Sequence, residues 1–248
     1  MKKIVASIEA RMGSSRLPGK VLMDINGKPS LARTVERLRQ CRHVDDIVIA
    51  TTANSADDAI VEWAKDFGVS TFRGSEEDVL ARVVGAQKSL QSDIVVEVCG
   101  DTPLIDPVVI DQSIAIFLSN DCDVVSNTWK NSYPQGISAQ VFPLSLLENV
   151  EQTIADSAVR EHVSLYFYEN PDQYRIIHMM SPPDCNAPDQ RLQLDYQEDL
   201  DLIRKIYERL EPQYGSDFGI VEVMKLLRAE PDLAQINANR SEKPVRQP

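Results

Sequence analysis

The chain has 248 residues, 43% hydrophobic content and a formal net charge of −12, with a pI near 4.7. That length and apolar content suit one sizeable α/β domain, or one domain with an embedded lobe. The acidity disfavours non-specific binding to nucleic acid or to an anionic membrane.

In chain order, Ile4-Val5-Ala6 reads as a buried first strand. It runs into Ile8 to Leu22, IEARMGSSRLPGKVL, where Gly13, Gly19, Ser14 and Ser15 stand among Arg11, Arg16 and Lys20. Small residues let backbone N–H groups close around a phosphate, and the cations neutralise it. Five residues separate Gly13 from Gly19 and Val21 follows Lys20, so this is not a Walker A loop. No second glycine falls two after Gly13, which excludes the dinucleotide fingerprint. A basic surface turn is the plainer alternative.

Val21 to Ile25 reads as extended and ends in the turn Asn26-Gly27. Leu31, Val35 and Leu38 repeat at helical spacing. Asp46 to Thr52 is a second buried strand, Ile60 to Phe67 a helix closed by Gly68, and Val69 to Arg73 a third strand. Ser75 is expected to cap the helix carrying Val79, Val83, Ala86 and Leu90. Asp93 to Val98 is a fourth strand that breaks at Gly100. A helix from Pro107 and a fifth strand from Asp123 to Ser126 follow. This alternation predicts an α/β fold with a largely parallel sheet and helices on both faces.

The rhythm changes at Tyr133. Extended pieces at Ile137 to Phe142 and Tyr174 to Met179, with helical stretches at Leu144 to Val150 and Asp156 to Glu169, predict a small mixed α+β lobe over 133–188. Arg191 to Leu194 reads as a late strand ending in Asp195, followed by a helix through Leu210 and another from Ile220 to Arg228. One domain over 1–236 with a mobile polar tail over 237–248 is expected.

Cys41, Cys99, Cys122 and Cys185 form no C-x-x-C pair and the three histidines lack metal-finger spacing, which argues against structural zinc. The N-terminus lacks a long apolar leader region and no stretch has transmembrane length, so a cytoplasmic protein with no membrane association is expected.

In such sheets ligands bind at the carboxyl ends of the strands. The loop after strand one and Asp101 after strand four belong there, as does Asp195. Two carboxylates facing a phosphate chain would repel it unless Mg²⁺ bridges them. A turn role for Asp101 and a helix cap for Asp195 fit the spacing equally well. The triplet Asp121-Cys122-Asp123 precedes its strand and reads as a turn at the opposite end.

ARMGSSRLPGKVL, RGSEEDVLAR, GDTPLIDP, YPQGISAQVF, REHVSLYFY and LDYQEDL, in that order over roughly residues 3 to 210, resemble the spore-coat polysaccharide synthesis protein F branch of the CMP-sugar synthetases. This family includes the enzymes that activate 3-deoxy-manno-octulosonate and sialic acids. The resemblance implies a GT-A-like nucleotidyltransferase fold, CTP as donor, a small acidic acceptor such as a sugar acid, Mg²⁺ and a homodimer formed through the middle lobe. It places Ala10, Arg11, Gly13, Ser14, Ser15, Arg16 and Lys20 on the nucleotide, with Arg73, Gly74 and Ser75 near base and ribose. Asp101 and Asp195 become the metal aspartates, with Arg11, Arg16, Lys20 and Asp101 in the catalytic role. Gln140, Arg160, Glu161 and His162 fall on the acceptor side.

The sequence departs from the family pattern at Glu9, where Gln or Pro is frequent, and at Cys99, Ser138, Gln140 and Tyr196. Glu9 puts a negative charge beside the phosphate loop and has no assigned role, Cys99 alters a position tied to base contacts, and the changed acceptor-side positions imply a non-standard acceptor. A glycosyltransferase consuming a nucleotide sugar, or a non-catalytic nucleotide-binding relative, are the competing readings. Cations clustered for a triphosphate tail favour pyrophosphate release over the first.

Overall fold

The computed structural model describes residues 2–241 and 245–246. Its strands are β1 (Ile4–Glu9), β2 (Asp24–Ile25), β3 (Lys28–Pro29), β4 (Asp46–Thr52), β5 (Ser70–Gly74), β6 (Ile94–Cys99), β7 (Val124–Ser126), β8 (Gln140–Pro143) and β9 (Ile176–His178). The first helices are α1 (Ser30–Leu38), α2 (Asp58–Phe67), α3 (Val79–Ser89), α4 (Pro107–Ser119) and α5 (Leu144–Thr153). They are followed by α6 (Ser157–Glu161), α7 (Leu165–Glu169), α8 (Gln197–Tyr214), α9 (Ile220–Ala229) and α10 (Pro231–Gln235).

Seven strands form one sheet in the order β5-β4-β1-β6-β8-β7-β9. β5, β4, β1 and β6 are parallel, and β8 alone runs antiparallel to both its neighbours. Alternation along β1 explains why helices cover both faces. Ile4, Ala6 and Ile8 enter one core with residues of α1, α4, α8 and α9. Val5 enters the other with residues of α3, α5 and α7. A parallel strand with apolar side chains on both faces must be covered twice.

Several elements differ from the sequence reading. The helix after the third strand begins at Val79, with Asp78 as its cap accepting from Ala81 N. Ser75 Oγ instead accepts from Asp78 N in the preceding turn. Asp156 to Glu169 is two short helices, broken where His162 leaves helical geometry. Arg191 makes only an isolated bridge with Gln135 and no strand. The extended pieces of the 133–188 stretch join the main sheet as β8 and β9. Asn26-Gly27 is the expected turn, with φ of 50° and 84°, joining β2 to β3.

Of the tail, residues 242–244 and 247–248 lie outside the described residues. Asn237 is buried, and its amide donates to Arg191 O and Asp199 Oδ1. Arg246 pairs with Asp156 and Glu169.

Gly85 on α3 lies where a Cβ would stand 2.3 Å from Phe72 Cζ on β5. Gly85→Ala is expected to lower stability by about 1–3 kcal/mol, the usual cost of overpacking, read by urea unfolding. No change would mean that the ring moves aside freely.

Glu97 is buried on β6 and accepts a hydrogen bond from Ser164 Oγ. Burial, then the nearby Glu9 charge, pushes its carboxyl well above its ordinary value. The native state therefore keeps a proton there that the unfolded chain has released. Stability contributed by this protonation is full below about pH 4.5 and declines as pH rises past it. Glu97→Gln is expected to flatten the pH dependence of the urea midpoint as pH rises past about 4.5; an unchanged slope would contradict this.

Candidate active site

β1, β4, β5 and β6 all end on one side of the sheet, and the segment after β1 curls there into a loop. The loop is held from below by Asp57. Its Oδ1 accepts from Met12 N at 2.7 Å, and its Oδ2 accepts from Thr52 N and the Thr52 hydroxyl. Gly19 turns the chain back at φ 72°, and its N–H and that of Ser14 both donate to Met12 O at 2.9 Å. This folds Arg16 and Lys20 toward the ends of β1 and β6.

Lys20 is 9% exposed, and its Nζ lies 2.7 Å from Asp101 Oδ2 and 2.8 Å from Asp195 Oδ1. Arg16 reaches the same Asp195 oxygen at 2.6 Å. Burial pulls the Lys20 ammonium down, but the charges and hydrogen bonds of Asp101 and Asp195 outweigh it and leave the ammonium raised. Burial alone would raise Asp195, yet Lys20, Arg16 and Arg191 hold it well below the carboxylate range. The residues stay charged because they are paired.

Gly100 sets where Asp101 stands. Its N–H donates to Glu9 O at 2.8 Å, and a Cβ there would meet that oxygen at 2.6 Å. Only a residue without a side chain lets β6 turn this close to β1.

A cavity of about 790 Å³ opens over these groups. It is lined by Ala10, Arg11, Ser14, Ser15, Arg16, Lys20, Asp101 and Asp195, and on the far wall by Glu161 and His162. Gly13, Arg73, Gly74, Ser75, Gln140 and Arg160, also expected at the site, are not among its lining residues. Gly13 lies beside Glu76, where an added Cβ would stand 3.4 Å from the carboxylate. Arg73 is pinned to Thr52 O, Asn54 O and Asp58, while Gly74 packs on Arg82. Ser75 presents its carbonyl to Arg82. Gln140 is buried and accepts from Tyr168 Oη at 2.6 Å and Thr128 Oγ1 at 3.1 Å. Arg160 donates from Nε to Asp78 Oδ2 at 3.0 Å and also bonds Glu151 O, tying α6 to the start of α3. Long side chains with carbonyls and carboxylates beside them are drawn into structural bonds that sequence position does not reveal.

The supporting shell of Asp195 was not anticipated. Arg191, buried, donates to Asp195 Oδ2 at 2.8 Å and to both Asp199 oxygens. Asp199 Oδ2 accepts from the backbone N–H groups of Asp195 and Tyr196, each at 2.9 Å, closing the α8 capping box. Tyr196 supplies a ring face under Arg16, Arg191 and Arg240, at 5.2, 5.6 and 4.8 Å. The legible signal was the i, i+4 spacing of Arg191, Asp195 and Asp199 around a helix start. Arg82 was missed as well: it lines the cavity while donating to Ala50 O, Ser75 O and Glu76 O. Burial lowers the His162 imidazole, partly offset by Glu161. Asp121 and Asp123 pair with Arg175 before β7, away from the cavity.

Asp101 Oδ1 is buried and has no hydrogen-bond partner, and an ammonium stands between Asp101 and Asp195. An orphaned carboxylate oxygen at a point that already attracts a cation fits a divalent metal. Among the described residues no cluster of three or more His, Cys, Asp or Glu gathers as a metal cage. Two carboxylates, with the remaining positions left to phosphate and water, suit a divalent cation.

The cytidylyltransferase family model matches residues 5–229. The spore coat polysaccharide biosynthesis protein SpsF of Bacillus subtilis (strain 168) is 33% identical over 239 residues, covering 94% of this chain and 98% of that protein. A 3-deoxy-manno-octulosonate cytidylyltransferase of Chloroherpeton thalassium is 31% identical over 175 residues, 70% of this chain and 66% of that one. The solved structure of a cytidylyltransferase from Leptospira borgpetersenii superposes with a TM-score of 0.89 at 29% identity, covering 98% of this chain and all of that one. No helix among the described residues is long and apolar enough to cross a membrane. The chain belongs to the cytidylyltransferase family, as a CTP-dependent nucleotidyltransferase with the nucleotidyltransferase fold of the CMP-sugar synthetases.

Proposed function

We propose that this chain transfers CMP from CTP to a sugar acid or related small acidic acceptor, with Mg²⁺, releasing pyrophosphate in cytoplasmic surface-polysaccharide synthesis. The observation that carries the reading is the meeting of Lys20, Asp101 and Asp195 under the Arg11–Lys20 loop, inside a cavity large enough for nucleotide and acceptor. The acceptor class is supported by the relative that activates 3-deoxy-manno-octulosonate, and the setting by the spore coat protein.

The chain's own groups account for the steps. Arg11, Ser14, Ser15, Arg16 and Lys20 hold the triphosphate, with Ala10 beside the nucleoside. An acceptor oxygen attacks the α-phosphorus in line while Arg16 and Lys20 neutralise the departing pyrophosphate. Asp101 and Asp195 would hold Mg²⁺, which when bound supplies charge neutralisation to the phosphates. Lys20 then exchanges its carboxylate partners for phosphate oxygens. Glu161 and His162, on the α6 wall, face the acceptor. A homodimer forms through 133–188, where Trp129 and Met180 nearby leave large apolar side chains half exposed.

Pyrophosphate release from each nucleoside triphosphate, with Mg²⁺ and a panel of sugar acids, tests the activity. Acceptor-dependent release with CTP is expected, and turnover of a nucleotide sugar without pyrophosphate would contradict it. Asp101→Asn and Lys20→Met are each expected to lower kcat/KM on the order of 10²–10³-fold, the scale of losing a preorganised charge at the reacting phosphate. Circular dichroism should show both still folded. Wild-type rates in either would remove that residue from the mechanism.

A further inference from the structure

Glu9 ends β1 immediately before the phosphate loop and lines the cavity floor. Its register partner on β6 is Cys99, which lines the same floor. Glu9 Oε1 is enclosed and has no hydrogen-bond partner. The cation that faces it, Arg82, is already committed to the carbonyls of Ala50, Ser75 and Glu76. Asp101 adds a second negative charge nearby. A buried carboxyl oxygen without a donor is costly, and such groups in native proteins call for a partner.

The triphosphate finds its donors in the Arg11–Lys20 loop and, as an acceptor-only group, offers none to the unpartnered Glu9 Oε1. Arg16 and Lys20 lie on the loop side of the cavity; the opposite wall is α6, with Ser157, Ala158 and His162 and with Arg246 paired to Asp156 at its start. Glu9 lies on the floor between the two. We infer that Glu9 is a specificity-determining residue whose carboxyl accepts a hydrogen bond from a hydroxyl or amino group of the acceptor. This rests on the cytidylyltransfer reading above and assigns a role to a residue at which the chain departs from the family pattern.

The test uses the full chain, Mg²⁺, CTP and the sugar acid that gives the fastest pyrophosphate release with the wild type. Glu9→Leu removes both oxygens, and Glu9→Gln keeps an acceptor oxygen. Calorimetry with CTP reports whether each variant retains its fold and nucleotide site. The acceptor KM is expected to rise about tenfold or more in Glu9→Leu, as for one lost hydrogen bond to a buried polar group, and to stay within about threefold in Glu9→Gln. The KM for CTP should move less than about twofold. Among mono-deoxy analogues of the acceptor, one should bind wild type and Glu9→Leu equally, the signature of a direct contact. If Glu9→Leu fails to bind CTP, Glu9→Ala replaces it under the same criteria. An unchanged acceptor KM, or a loss confined to CTP, overturns the inference while wild-type release leaves the reaction standing. Absence of release by the wild type with every acceptor overturns both.

Discussion

The ammonium of Lys20 between Asp101 and Asp195 is the interaction on which the site depends. Two carboxylates brought to one sheet edge would repel, and leaving either unpaired there would cost several kcal/mol. Lys20 offsets their repulsion, and Arg16 and Arg191 complete the neutralisation of Asp195. The arrangement requires three distant segments to meet: the loop after β1, the turn after β6, and the approach to α8, which carries both Arg191 and Asp195. The first two meet because the parallel strands β1 and β6 end together, and the third is tied to them by Leu194 N, which donates to Asp101 O at 2.8 Å.

The same geometry gives the cavity an internal polarity. Arg11, Arg16 and Lys20 lie along the loop, while the floor and far wall carry Glu9, Cys99 and Glu161. Burial and neighbouring carboxylates push the Cys99 thiol well up, so it serves as a neutral floor group rather than a nucleophile. Burial likewise raises Glu9, to about 8, with Arg82 opposing and Asp101 reinforcing. On the proposed reading, the loop is preorganised for the negative triphosphate and the floor is left for polar groups of the acceptor. In the proposed reaction, that division orients the two substrates without any residue having to act covalently.

Much of the fold was readable because long strands with two buried faces, and helices with clear apolar stripes, leave strong periodic signals. The parallel half of the sheet, β1, β4, β5 and β6, followed from these. The weaker predictions came where tertiary contacts override local pattern. Ser75 has cap chemistry, but Asp78 is the residue positioned to receive the Ala81 N–H. Arg191 has the flanks of a strand residue, yet its guanidinium is buried as the counter-ion of Asp195 and Asp199. Arg160 and Gln140 fell in acceptor-side motifs, but each is within reach of closer partners that sequence distance hides. Arg82 and Asp57 carried no local signal at all, because what they hold are backbone groups of other segments. Tyr196 is legible only afterwards, as the ring on which three guanidiniums rest.

The central claim is that the Lys20–Asp101–Asp195 cluster is where the triphosphate and its metal bind. A crystal structure with Mg²⁺ and a non-hydrolysable CTP analogue tests it most directly. The account predicts a metal on Asp101 and Asp195, with Lys20 Nζ withdrawn from them onto phosphate oxygens. A triphosphate bound away from the Arg11–Lys20 loop, or Lys20 still bridging the two carboxylates beneath a bound metal–nucleotide complex, would contradict it.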